Sequence, residues 1–207
     1  RGRRTDRHRR SLGLTRRRQP QRFVYRGAPL HAQARLVDQR SILGLRRGAI
    51  GDRSAYWAFP RTALFNRIGM RSATIDCDAT GTLVLGAQVY ATARDYARFG
   101  LLYLNDGVWL GERILPEGWV AYTVTPAPAA KIGYYGAQFW LNRGAAEDPA
   151  KRRFPALPED AYSAEGYQGQ AVVVLPSQKL VVVRLGMTYD DNWGMEAFLK
   201  DLVASLD

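Results

Sequence analysis

The sequence predicts an α+β fold, and three segments carry that prediction. Two apolar, β-branched runs at 171–175 and 180–185 flank Pro176-Ser177-Gln178-Lys179. They have strand length and a short connection, so they should pair as an antiparallel hairpin. Beyond them, Met195, Phe198, Leu199, Leu202, Val203 and Leu206 recur at helical spacing as one apolar stripe, which should pack on the hairpin's face. Upstream, ATARDYARFGLLYLNDG reads as an amphipathic helix. Helix stripes and sheet faces both need a neighbouring layer, which gives the α+β arrangement.

The elements follow in chain order. Residues 1–53 hold 16 arginines, no lysine, no glutamate and three aspartates, a net charge of +13, whereas 54–207 hold 14 basic and 16 acidic residues, a net of −2. The chain therefore divides into a basic segment, 1–53, and a folded part, 54–207. Residues 1–22 are too charged to bury a core and are expected to be disordered; a short helix over 32–39 is the one regular element expected before 54. Residues 56–65 read as helical, with Pro60 suited to the first turn or a break, and Gly69 ends that piece before a turn-rich stretch at 76–81. Thr92 is a good N-cap for the amphipathic helix, with Asp95 three residues on as a capping-box variant. Asn105-Asp106-Gly107 supplies its stop, and Pro116 opens a second helix over 117–123. Residues 135–141 read as a strand and 147–160 as a proline-containing loop. The sheet is thus expected from strands near 135–141, 164–175 and 180–185, covered by a C-terminal helix capped by Asn192. Within the second strand Gly166 and Gly169 permit close approach of backbone or ligand; the structural alternative is a bulged strand entry.

Several function classes are excluded or weakened. One cysteine, Cys77, cannot form an internal disulfide, and the two histidines lie at positions 8 and 31, so neither a zinc cluster nor a Ser-His-Asp triad in residues 54–207 is expected. There is no Walker loop, no Gly-x-Gly-x-x-Gly and no Gly-x-Ser-x-Gly. No apolar run is long enough to span a bilayer, and the arginines at the start have no apolar segment behind them, so they do not read as a secretory signal. The first residue is not methionine, which suggests a missing or altered start. Compartment is left open.

The stretches LFNRIGMRSAT, YATARDYARFGLLYLNDGVWLGERILPEGWV, YYGAQFWLN and YSAEGYQGQAVVVLPSQKLVVVRLG, followed by a closing helix, resemble in order the C-terminal part of the serine β-lactamase-related hydrolases. That group includes class C β-lactamases, penicillin-binding-protein-like peptidases, esterases and 6-aminohexanoate-dimer hydrolases. The resemblance implies a partial β-lactamase/transpeptidase-like fold and hydrolysis of a small amide or ester through an acyl-serine, with no metal or organic cofactor. The family uses a Ser-x-x-Lys, a tyrosine motif, and a Lys-Thr-Gly or His-x-Gly on a strand, with the next residue's N–H in the oxyanion hole. The third motif falls on Tyr167-Gln168-Gly169, making Tyr167 and Gly169 the strand residues and Gln170 the oxyanion donor. Tyr167 carries no charge, so it offers no cation to a substrate carboxylate at that position. Ser-x-x-Lys occurs nowhere in the 207 residues. Tyr103-Leu104-Asn105 spells Tyr-x-Asn but ends a helix and reads as structural; Tyr25 is the other, weak candidate for the tyrosine motif.

Three readings of residues 1–53 compete: a nucleic-acid-binding arm, a solvated extension without a role, and an out-of-frame or misassigned translation of a GC-rich gene. The absence of lysine, with only Phe23 and Tyr25 for stacking, weighs against the arm. The leading expectation is a C-terminal fragment of a serine hydrolase, inactive alone; the alternative is a non-catalytic protein with an arginine-rich nucleic-acid-binding arm. A fragment missing its partner strands should expose a sheet edge and be prone to aggregate. Oligomeric state is left open.

Overall fold

A computed structural model describes residues 52–84, 88–130, 133–144, 148, 150–189 and 193–206. The expected disorder of 1–22, the helix over 32–39 and Tyr25 lie outside these residues.

The first helix, α1 (Arg53–Pro60), starts at Asp52, whose carboxylate accepts the N–H groups of Ser54 and Ala55 at 3.2 and 3.0 Å. Pro60 is its last residue, and the chain continues through a wider π turn, Arg61–Phe65. Proline has no N–H to donate and crowds the preceding turn, so the regular helix stops there. Short strands β1 (Thr74–Ile75) and β2 (Val89–Tyr90) pair antiparallel and lead into α2 (Ala93–Leu104). Thr92 caps α2 as expected, its hydroxyl accepting the Asp95 N–H at 3.3 Å. Gly107, at φ +77°, closes the helix by donating to the Leu102 carbonyl at 2.8 Å. Strands β3 (Val108–Trp109) and β4 (Glu112–Arg113) form a hairpin that the sequence reading missed. Its two turn residues, Leu110 and Gly111, both have positive φ (47° and 86°), the geometry of a two-residue hairpin turn. Leucine is a poor residue for that conformation, which hid the turn. Helix α3 (Trp119–Thr123) begins after Gly118 rather than at Glu117.

The main sheet has the order β5-β6-β7-β8, all antiparallel. It comprises β5 (Trp140–Leu141), β6 (Tyr162–Gly166), β7 (Gln170–Leu175) and β8 (Leu180–Arg184). The expected strand over 135–141 shrinks to two residues. Gly136 sits so close to the Thr123 carbonyl that a Cβ would lie 2.2 Å from its oxygen, and Gln138 takes φ +74°, so the chain doubles back and only Trp140–Leu141 reach the sheet. The expected strand over 164–175 divides into β6 and β7 around a single 3-10 turn, Tyr167–Gly169. The hairpin β7–β8 forms as expected, with Val173 opposite Val182 and Val174 opposite Val181.

Both sheet faces are covered, and the two-residue period sorts the side chains. On one face Tyr162 and Val174 pack with Tyr103, Phe139 and Leu141. Helix α2 crosses there at Gly100, where a Cβ would lie 2.5 Å from Val181 Cγ1 and 3.0 Å from Val172 Cγ1, so glycine sets the helix–sheet distance. On the other face Ala171, Val173 and Leu175 pack with Leu199 of α4 (Met195–Ala204). The cap of α4 is Gly194, not Asn192, which lies outside the described residues. The expected stripe is only partly buried: Leu199 is sealed, but Phe198 and Leu206 are exposed.

Candidate functional site

The expected site lies where β6 ends and β7 begins. Glu165, next to last in β6, is gripped by a two-pronged fork from Arg153, with Nη1–Oε1 and Nη2–Oε2 distances of 2.5 and 2.7 Å. Ser163 donates its hydroxyl to the same carboxylate at 2.6 Å, and the Arg153 guanidinium lies over the rings of Trp140 and Phe154 at 4.8 and 4.7 Å. Period two places Ser163 and Glu165 on the α4 side of the sheet. Ser163 is only 3% exposed, so its hydroxyl is a structural donor out of reach of a substrate.

The turn that follows is held by its neighbours. Gln168 has φ +59° and Gly169 φ +78°. Arg184, on β8, donates to the Gly169 and Gln168 carbonyls at 2.7 and 3.3 Å and also to the Thr188 hydroxyl. Its guanidinium lies 5.0 Å from the Trp193 ring centre. A Cβ at residue 169 would come within 2.7 Å of Arg184 Nη1 and 2.8 Å of Trp193 Cδ1, so only glycine fits without displacing both. The Gln170 side chain pairs with the Gly186 backbone: its amide donates to the Gly186 carbonyl, and its oxygen accepts the Gly186 N–H at 3.1 Å.

Tyr167, Gly169 and Gln170 are thus brought together, with Tyr167 largely exposed. They occupy a turn and the first residue of β7, however, rather than one strand. The strand that ends in glycine is β6, at Gly166. Tyr103 of the Tyr-x-Asn sequence is buried among Phe99 and Phe139 and accepts the Trp119 indole N–H at 3.4 Å. Burial raises its pKa, the Trp119 bond opposing in part, so it holds its proton at neutral pH. Among the described residues no hydrogen bond joins a hydroxyl to a lysine amine, and no three His, Cys, Asp or Glu side chains cluster to hold a metal. No described helix is long and apolar enough to cross a membrane.

The family model described as Beta-lactamase matches residues 15–197. The chain belongs to this family of serine β-lactamase-related hydrolases. The family match begins inside the arginine-rich segment, upstream of the change in composition near residue 53. A 50-residue stretch is 46% identical to the 6-aminohexanoate-dimer hydrolase of Paenarthrobacter ureafaciens, covering 24% of this chain and 13% of that protein. Among solved structures, a candidate 6-aminohexanoate-dimer hydrolase from Bacillus anthracis superposes with a TM-score of 0.61 at 24% identity, over 81% of this chain and 42% of that one. A β-lactamase from Mycobacterium bovis does so with a TM-score of 0.52 at 16% identity, over 73% and 56%. These likenesses establish a β-lactamase-like fold, and the chain spans about half or less of the length of those proteins.

Proposed function

We propose that this chain is the sheet-bearing part of a serine hydrolase that cleaves amide or ester bonds through an acyl-serine, and that it does not turn over alone. One observation carries the reading: the antiparallel β6–β7–β8 ladder, closed between α2 and α4, ends β6 at Gly166 in a turn where an oxyanion-binding N–H can be presented. In this reading Ala164-Glu165-Gly166 is the strand motif and Tyr167 follows its glycine. Gly169 and Gln170 then support the turn, through Arg184, Trp193 and Gly186. Ala164 offers neither charge nor hydrogen bond where the family's Lys or His stands, so a substrate carboxylate finds no cation there. The inactivity rests on the sequence, which holds no Ser-x-x-Lys. In serine hydrolases, removing one member of the nucleophilic group already leaves only residual catalysis.

The test is an assay of the full chain with a chromogenic cephalosporin, a short nitrophenyl ester and a linear oligoamide. The oligoamide is included because the 46%-identical stretch belongs to a 6-aminohexanoate-dimer hydrolase. No turnover above buffer is expected. Activity abolished by a serine-acylating reagent would show a nucleophile elsewhere in the chain and overturn the inactivity.

A further inference from the structure

We draw no further inference here: the strongest candidate, the exposed apolar strip of Leu185, Met187 and Tyr189 that continues from β8 beside the Tyr167–Gly169 turn, carries nothing, because no feature of the structure shows what covers it.

Discussion

Strands β7 and β8 are almost the same in sequence, QAVVVL and LVVVR, yet they stand in opposite situations. From Ala171 to Leu175 every residue of β7 is buried, with a strand on each side and a helix on each face. All five residues of β8 are only half-buried, and its outer edge has no strand partner among the described residues. Hydrophobic composition therefore does not rank these strands; their place in the sheet order does. An unpaired apolar edge is also a template for another chain.

The sharpest way to break this comparison is a matched pair of truncations. Leu175→Ala, at a fully buried position, should cost about 2–5 kcal/mol. Leu180→Ala, directly opposite it on β8, should cost about 1–2 kcal/mol, in proportion to its smaller burial. Urea unfolding midpoints measure both, and equal losses would mean that β8 is covered in solution.

Asp95 sharpens the comparison from the α2 side. Its buried carboxylate accepts the Ser72 hydroxyl and N–H at 2.6 and 2.8 Å and pairs with Arg98 at 2.7 Å. Burial alone would raise its pKa, but the bonds from Ser72 and the Arg98 charge outweigh that and hold it below the usual carboxylate range. A folded-state pKa below the unfolded one means that the unfolded chain binds the proton more readily. The stabilisation is therefore complete above about pH 4 and is lost as pH falls through the lower folded value. Asp95→Asn should cost about 1–3 kcal/mol at neutral pH and flatten the fall in unfolding midpoint between about pH 4 and pH 2. An unchanged acid slope would show that other carboxylates set it.

The smallest effect on stability, and the most direct probe of the edge, is Val183→Lys. The substitution should change stability by no more than about 1 kcal/mol, while a charge on the edge opposes strand-to-strand association. Sedimentation velocity should show concentration-dependent association of the parent chain and less of it in the variant. A parent that stays monomeric and unfolds reversibly would remove the case for an exposed edge.

Local chemistry made parts of the fold legible. Thr92 and Asp95 marked the start of α2 because a side-chain cap is a contact within four residues, and the β7–β8 hairpin was readable because its turn is short and both strands are β-branched. The misreadings share a different cause. Tyr135–Leu141 has strand composition, but the Thr123 carbonyl beside Gly136 decides how the chain turns there. Gly166 and Gly169 look alike in the sequence, and only the fold packs Trp193 and Arg184 against Gly169. Asp95 read as a cap, but its bonds to Ser72, 23 residues away in sequence, made it a tie between a loop and a helix.

By itself the sequence determined the α+β class, the hairpin, the capped helix and the lack of Ser-x-x-Lys, because each is written in residue periodicity or in a short run of neighbours. Only the tertiary structure decided which apolar strand is interior and which is an edge, and where β6 stops. Those outcomes depend on contacts between residues far apart in the chain, and burial is a property of the assembled layers rather than of any one segment.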